Sequence, residues 1–415
     1  MKLYIYKRFI RHSLLVRKWA FTKWIFIALL LLLAIGEISM FAVRDVHFSP
    51  SGFLLIGSCV IFTYCLFMAC LCVDCVRILV RNGVPKSCCS PTSCCNQTQK
   101  VCLDSINPSQ NALSASPKLQ SASNASPLTP RRKFLQGMID TSIALLFVCF
   151  SVQGFKNALT IPPVKEVRIK LAGLKKPKRI AMITDVHIGK TLGYAFLADV
   201  VAKINALKPD LVVIVGDLID DKIENIKADL EPLKSLQSTE GVYYVAGNHE
   251  YYHGVEPILA HLQTLNLNIL HNKHIELADL NLAGVSDLSA ARFGYEEPNL
   301  AAAKAGLNTQ KPSVLLVHQP KFVRQNDVSD FDLVLCGHTH AGQVFPLSFF
   351  VWLEQHYVHG LYKLPQHTQS THTSQNIESK PRQTQLYVSS GVGFWGPAIR
   401  FLAPSEIVLL KLEGE

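Results

Sequence analysis

The sequence is poor in charged residues, and its C-terminal two thirds has almost no cysteine. Charged side chains make up 17% of the 415 residues and hydrophobic side chains 49%, a balance unlike that of ordinary soluble proteins. Of the 12 cysteines, only Cys336 lies beyond residue 150. The first scarcity argues against a wholly soluble chain, and the second excludes a disulfide framework for the C-terminal part. We therefore expect part of the chain to lie in lipid.

The C-terminal part also lacks an excess of positive charge. Residues 1–160 hold 17 Lys and Arg against 5 Asp and Glu, whereas residues 161–415 hold 24 against 26. Proteins that bind polymeric nucleic acid need clustered basic residues, so we expect no nucleic acid among the partners. The basic excess is instead typical of the cytoplasmic flanks of membrane helices, where Lys and Arg meet anionic lipid. Membrane lipids are therefore expected partners.

Three long apolar segments are present in the N-terminal part. They cover residues 24–43, 53–73 and 134–155, and each can cross about 30 Å of hydrocarbon. The third is the weakest, because Asp140 interrupts it. Seven Lys and Arg precede the first segment, one follows it, and eight lie between residues 77 and 133. This distribution predicts a multi-pass protein of the plasma (inner) membrane with a cytoplasmic N-terminus and an extracytoplasmic C-terminal domain.

The stretch between the second and third segments has two features of its own. Five cysteines cluster there, namely Cys88, Cys89, Cys94, Cys95 and Cys102; they fit either reduced, lipid-modified thiols or a metal or redox site. Residues 104–133 are rich in Ser, Asn, Ala and Pro and predict a flexible linker. Its end, PRRKFL at 130–135, resembles a twin-arginine export signal as much as an ordinary basic flank. We thus divide this part into a membrane region (1–103), a linker (104–133) and a third span or signal anchor (134–155).

Beyond residue 175, short apolar runs rich in β-branched residues alternate with helical patterns. Such runs are typical of strands buried on both faces, while residues 196–207 and 255–265 repeat apolar side chains at helical spacing. The predicted strands are Arg179–Thr184, Leu211–Gly216, Val242–Ala246, Ser313–Val317, Asp332–Cys336 and Glu406–Leu412. This alternation predicts an α/β layered domain with much of its sheet parallel.

Each of the first five strands is followed by residue types that bind metal ions. Sites in α/β sheets form at the carboxyl ends of strands. The blocks are Asp185-Val186-His187, Gly216-Asp217, Gly247-Asn248-His249-Glu250, Val317-His318 and Gly337-His338-Thr339-His340. Buried Asp, Asn and His side chains are costly without partners, so the five blocks together predict a metal centre.

The five blocks, in this order, resemble the metallophosphoesterase superfamily that includes calcineurin and the purple acid phosphatases. The tail YVSSGVG at 387–393, followed by Pro397, Arg400, Phe401 and Glu406, is similar to a bacterial membrane-associated subgroup. Ala341 departs from the glycine that this subgroup has after its second histidine. The resemblance covers residues 179 to about 410. It implies a layered β-sandwich flanked by helices, here a catalytic domain over 160–415 that follows the helical transmembrane region.

The resemblance also implies a ligand set and a reaction. One metal ion would be held by Asp185, His187, Asp217 and His340, and a second by Asp217, Asn248, His318 and His338. Imidazole and oxygen ligands without thiolate suit divalent or trivalent Mn, Fe, Zn or Co. A hydroxide bound between the two ions would attack a phosphomonoester or phosphodiester, on a lipid or envelope precursor. By the same resemblance, His249 is not a ligand and acts as general acid or charge stabiliser, the alternative being that it only orients its neighbours.

Several residues have two interpretations. Asp287 and Arg400 could bind substrate, or they could form a turn and a surface ion pair respectively. Cys336 is expected to be a small core residue. His367 and His372 lie in the polar stretch 365–385, which we interpret as an inserted surface loop rather than as a metal site.

Two other functions are compatible with the sequence. A nuclease or nucleotide phosphodiesterase would share the same chemistry, but the net charge of the C-terminal part disfavours a polymeric substrate. A non-catalytic membrane sensor would keep the fold without the reaction, yet such a protein is expected to lose ligand residues, and here all seven positions are filled.

Overall fold

The computed structural model describes residues 1–42, 49–83, 129–365 and 383–415. The cysteine cluster, most of the predicted linker, and His367 and His372 lie outside these residues.

Three long helices form the N-terminal region: Ala20–Ala42, Pro50–Gly83 and Pro130–Leu159. All three are long and apolar enough to cross a membrane, as predicted. The second helix has 34 residues, well beyond the predicted segment 53–73, because it continues through Asp74 and Arg77 as a polar extension. Three short helical pieces precede them, Lys2–Ile5, Tyr6–Ile10 and Leu14–Lys18. Tyr4 donates a hydrogen bond to Asp74 (2.6 Å), which ties this N-terminal piece to the second helix.

The described residues that follow contain twelve strands. They are β1 (Val164–Leu171), β2 (Lys178–Ile183), β3 (Leu211–Val215), β4 (Val242–Val245), β5 (Asn268–Ile269), β6 (Lys273–Glu276), β7 (Asn281–Gly284), β8 (Ser313–Leu316), β9 (Leu333–Cys336), β10 (Gly360–Lys363), β11 (Gln385–Val388) and β12 (Ile407–Gly414). The first sheet has the order β1-β12-β2-β3-β4-β5, and the second has the order β10-β11-β9-β8-β7-β6. Within them β2, β3 and β4 are parallel, as are β7, β8, β9 and β11.

The two sheets pack face to face, and helices cover their outer faces. Met182 and Val213 of the first sheet share one core with Leu316 and Leu335 of the second. The other helical segments are Tyr194–Ala206, Ile223–Ile226, Lys227–Ser235, Asn248–His253, Val255–Thr264, Ala290–Phe293, Leu300–Lys304, Phe322–Gln325, His340–Gly342 and Leu347–Gln355. Leu197 packs on the outer face of the first sheet, and Phe322 packs on that of the second. The predicted α/β sandwich flanked by helices is confirmed.

The parallel strands determine where the chemistry lies. All six predicted strands are present with ends within two residues of the prediction. Because β2, β3, β4, β8 and β9 carry the five ligand blocks at their carboxyl ends, the sandwich brings those blocks to one edge.

Candidate metal centre

The backbone at the strand ends turns sharply to aim the predicted ligands inward. Five of them have a left-handed backbone: Asp185 (φ 54°), His187 (φ 53°), Asp217 (φ 49°), His338 (φ 70°) and His340 (φ 48°). For residues other than glycine this conformation costs about 1–3 kcal/mol each and persists where the surroundings impose it. Such outliers concentrate at functional sites, and here they coincide with the predicted ligands.

A first group of candidate ligands consists of Asp185, His187 and His340, all buried. The Nε2 atoms of His187 and His340 lie 3.0 Å apart, and His340 Nε2 lies 3.4 Å from Asp185 Oδ1. Because a metal–nitrogen bond is about 2.0–2.1 Å long, two nitrogens that share one ion would lie within about 4.2 Å of each other. The spacing of the first group therefore fits a single shared cation.

A second group consists of Asp217, His318 and His338. His318 Nε2 lies 3.1 Å from Asp217 Oδ2. On the other side of the ring, Nδ1 donates a hydrogen bond to the carbonyl of Val215 (2.9 Å), which fixes the tautomer and leaves Nε2 directed at the carboxylate. The orientation of His318 is therefore set by the end of β3, one residue before the turn that carries Asp217.

Asp217 also joins the second group to the first. Its carboxylate lies within 4.8 Å of ring nitrogens of His187 and His249, so it faces both groups. Two buried atoms nearby, Asn248 Oδ1 and His187 Nδ1, have no hydrogen-bond partner among the described residues. Unpaired buried polar atoms are rare. The carboxylate between the groups and the unpaired oxygen of Asn248 both fit a centre that holds cations, whereas His187 Nδ1 is directed away from the Nε2 atom that faces His340.

The imidazoles are mostly neutral, as metal ligands must be. Burial lowers the pKa of His187 to about 4 and that of His338 to about 3. Burial and the Arg400 guanidinium hold the pKa of His340 well below its usual range. His318 differs: burial would lower its pKa, but the carboxylates of Asp217 and Asp185 outweigh burial and raise it. A cation bound at Asp217 and Asp185 would neutralise these carboxylates, so His318 would no longer need to carry the additional proton.

Glycines beside the ligands leave no room for a side chain. At Gly216 (φ 79°), a Cβ atom would lie 2.5 Å from His318 Nδ1 and 2.8 Å from Gly247 Cα. At Gly247, a Cβ atom would overlap the carboxylate of Asp217. The close approach of the β3 and β4 ends therefore depends on glycine at both positions.

His249 lies beside the ligands with one ring nitrogen anchored. Its Nδ1 is 2.7 Å from Asp220 Oδ1, and its Nε2 is 4.0 Å from Asp217 Oδ2. Burial would lower its pKa, but Asp217 and the hydrogen bond with Asp220 outweigh burial and raise it to about 9. Cations bound at Asp217 would offset that charge and lower this pKa again.

Arg400 lies behind the centre. Its side chain is fully buried, so it is not part of a surface ion pair. It donates hydrogen bonds to His340 Nδ1 (2.9 Å) and to the carbonyls of His340 (2.9 Å) and Ser390 (2.8 Å). Through these contacts it fixes the ring of a candidate ligand, a position that favours orientation of His340 over contact with substrate.

Asp287 is also buried, within a polar turn. It accepts hydrogen bonds from Gln319 Nε2 (2.8 Å) and from the backbone of Ser289 (2.8 Å), which favours the turn interpretation. Cys336 ends β9 as a free thiol inside the outer core of the second sheet.

Two residues of the site have roles that the sequence did not reveal: Asp220, which was not predicted, and Glu250, which was named only as part of a ligand block. Asp220 contacts the ring of His249. Its position three residues after the predicted ligand Asp217 is the one feature of the sequence that could have indicated this role. Glu250 accepts hydrogen bonds from the backbone of Gly247 (2.7 Å), Asp217 (3.0 Å) and Ile219 (3.0 Å). It therefore connects the turn after β3 to the turn after β4. Its position directly after Asn248 and His249 could have indicated a role in the site.

Comparison with known proteins shows the family of this chain. The family model described as calcineurin-like phosphoesterase matches residues 178–342. An uncharacterized metallophosphoesterase of Campylobacter jejuni is 37% identical over 413 residues, covering 99% of this chain and 95% of that protein. One of Helicobacter pylori is 44% identical over 286 residues (69% and 73%). A transmembrane protein with metallophosphoesterase domain of Danio rerio is 34% identical over 289 residues (66% and 62%).

The chain belongs to the calcineurin-like metallophosphoesterases, and it is therefore a phosphoesterase hydrolase. The predicted superfamily and the predicted class of enzyme are both confirmed. The bacterial relatives are consistent with the predicted subgroup.

Proposed function

We propose that this chain is a membrane-anchored phosphoesterase with two metal ions, one held by Asp185, His187, Asp217 and His340 and the other by Asp217, Asn248, His318 and His338. The observation that carries the proposal is the position of Asp217, whose carboxylate faces both groups of histidines. The substrate is a phosphomonoester or phosphodiester, and the anchor favours one on a lipid or envelope precursor.

The donor set limits the metal. It consists of imidazole, carboxylate and amide oxygen without thiolate, which suits Mn, Fe, Zn or Co. Bound there, such ions would polarise the phosphoryl oxygens and lower the pKa of water to near neutrality.

The protein's own contribution to proton transfer is His249. Asp220 holds Nδ1, so Nε2 is directed toward Asp217 and the space between the two groups. A protonated imidazole in this position can donate its proton to the departing oxygen of the substrate. Trp395 and Tyr252 flank the ring, with ring centroids 6.3 Å and 5.1 Å away, and form walls for the leaving group.

The charge distribution of the sequence supports a location in the plasma membrane with the catalytic domain outside the cytoplasm. Reporters fused after Glu415 test this topology. We expect the alkaline phosphatase fusion to be active. An inactive alkaline phosphatase fusion together with a fluorescent fusion to green fluorescent protein would contradict the proposed topology.

The reaction is tested with the full-length protein in detergent. We expect about two metal ions per chain by mass spectrometry, and hydrolysis of an aryl phosphodiester that a chelator abolishes and Mn restores. Full activity with one ion or none would overturn the proposal. Parallel assays with phospholipids, sugar-nucleotide lipids and DNA identify the substrate class, and a preference for DNA would contradict the membrane-linked substrate.

A further inference from the structure

The helix Leu347–Gln355 exposes an unusually apolar surface. Its sequence is LSFFVWLEQ, and large apolar side chains on it and just before it are exposed: Phe345, Leu347, Phe349, Phe350, Trp352 and Leu353. No other segment among the described residues covers them. Contiguous apolar patches of this kind are rare on soluble surfaces and mark contact with a protein or a membrane.

The start of this helix touches the membrane helices far from their ends. Val344 packs with Ile61 and Cys65, and the Tyr64 hydroxyl donates a hydrogen bond to the carbonyl of Phe345. Tyr64 lies eleven residues beyond Phe53, where the apolar segment begins, which is about 16 Å along a helix at 1.5 Å per residue. The apolar helix therefore begins at a depth within the uncharged part of Pro50–Gly83.

A second loop lies beside this segment at the same depth, since the backbone N–H of Phe345 donates a hydrogen bond to the carbonyl of Phe401 (3.0 Å). Phe401 packs on Tyr64 (centroids 6.5 Å apart) and on Phe150 (4.7 Å). Phe150 precedes Lys156 by six residues, or about 9 Å of helix, and no charged residue lies between them. The next residue, Leu402, is 72% exposed. Both loops thus stand beside apolar stretches of two helices that can cross a membrane.

The surroundings at this depth favour lipid as the partner. Val148 and Val152, on either side of Phe150 in the third long helix, are exposed there, as expected of side chains that face acyl chains. On the apolar helix, the acidic side chain Glu354 is paired with Lys321 (3.1 Å). Binding of a helix to a bilayer surface strengthens with the apolar area that it buries, and five large apolar side chains are exposed on this helix.

We propose that Leu347–Gln355, together with Leu402, inserts into the lipid bilayer beside the membrane helices. The inference goes beyond the proposed function, because it concerns a surface and not a reaction. Insertion would fix the position of the candidate metal centre relative to the membrane. His340 lies five residues before Phe345, so the mouth of the candidate metal centre is held at the level of the bilayer.

Tryptophan fluorescence tests the insertion in the full-length protein, reconstituted in vesicles of phosphatidylethanolamine and phosphatidylglycerol with brominated acyl chains. In one variant Trp352 is the only tryptophan, with Trp19, Trp24 and Trp395 replaced by Phe. A second variant has no native tryptophan and carries Phe350→Trp, which provides an independent probe should the first fold poorly. The control carries Ile275→Trp in the same background, on the edge strand β6.

Brominated lipid is expected to quench both helix probes several-fold more than the β6 control, and aqueous acrylamide is expected to show the reverse order. Quenching of the helix probes by acrylamide and not by brominated lipid would overturn insertion. Protection from both quenchers, with cross-links between copies, would assign the surface to self-association and also overturn it. These readouts do not depend on catalysis, so they separate failure of this inference from failure of the proposed reaction.

Discussion

The two groups of candidate ligands differ in what holds them in place. In the second group, His318 is fixed by the carbonyl of Val215, and Asp217 by the backbone contact with Glu250, so both are held within the first sheet and its turns. In the first group, His340 is fixed by Arg400. The backbone N–H of Arg400 in turn donates to the carbonyl of Gly154 in the third long helix (3.0 Å).

This difference shows that the two halves of the candidate metal centre are supported by different parts of the fold. One half rests on the sheet, and the other half rests partly on a helix that can cross the membrane. Changes at the shared carboxylate should therefore affect both halves, and changes behind His340 should affect the first half. Changes at Gly154 should reach the site through the loop that carries Arg400.

The largest effect is expected for Asp217→Asn. Because this carboxylate faces both groups, its loss should remove most of both metal ions and nearly all activity. Metal content of the purified full-length protein and steady-state hydrolysis measure the change. Asp199→Asn, at an exposed position of the helix Tyr194–Ala206, is the matched control and should leave both unchanged. Retention of one tightly bound ion would show that the two groups are independent and that Asp217 does not bridge them.

His249→Ala is expected to have the next largest effect, with metal content intact. General acid catalysis contributes about 10²–10⁴-fold, mostly for leaving groups that need a proton. Hydrolysis of an alkyl phosphodiester should therefore slow far more than that of a nitrophenyl ester. Asp220→Asn, which keeps the ring but weakens its anchor, should give a smaller loss with the same selectivity. Equal slowing of both substrates would show that His249 orients or stabilises charge without transferring a proton.

The sequence predicted most of the buried strands because they have a strong apolar pattern; β7 is buried but was missed, since Asn281 and Gly284 leave it only two apolar residues in sequence. Strands β2, β3 and β8 are continuous apolar runs, and their order along the chain placed the ligand blocks. Strand β1 was missed because it is an edge strand whose Lys165, Arg168 and Lys170 interrupt the apolar pattern. Short β6 was missed for a similar reason, since most of it is exposed.

The sequence predicted only those residues of the candidate site that lie in the five ligand blocks. The ligand blocks are recognisable in the sequence. The contacts of Arg400 with His340 and of Asp220 with His249 are not, because they join segments that are distant along the chain. Arg400 illustrates the limit. Its charge suggested the surface or the substrate, but burial against His340, 60 residues earlier in the chain, is decided by packing of the C-terminal loop.

Arg400→Lys is expected to weaken the first group selectively. Lysine keeps the charge but replaces the planar fork of the guanidinium, which donates to His340 Nδ1 and to the carbonyls of His340, Ser390 and Gly393, by a single ammonium with three donors. Loss of partners that orient a ligand typically costs about 10–100-fold in metal affinity, so one of the two ions should dissociate more easily while the other stays. Titration with a chelator, followed by metal analysis, resolves the two ions. Arg168→Lys, at an exposed position on β1, is the control. Equal weakening of both ions would contradict the division into two supports.

The smallest effect is expected for Gly154→Ala, in the third long helix. A Cβ atom at this position would lie 2.9 Å from Ile399 Cγ1, so the loop that carries Arg400 must shift slightly. Overpacking of this kind costs about 1–3 kcal/mol, and only part of it should reach His340, giving less than about a tenfold loss of activity with the first ion bound more weakly. Val152→Ala, on an exposed position of the same helix, should change neither. If Gly154→Ala lowers thermal stability but leaves the affinity of both ions unchanged, the helix supports the fold without supporting the metal centre, and the contrast between the two halves ends at Arg400.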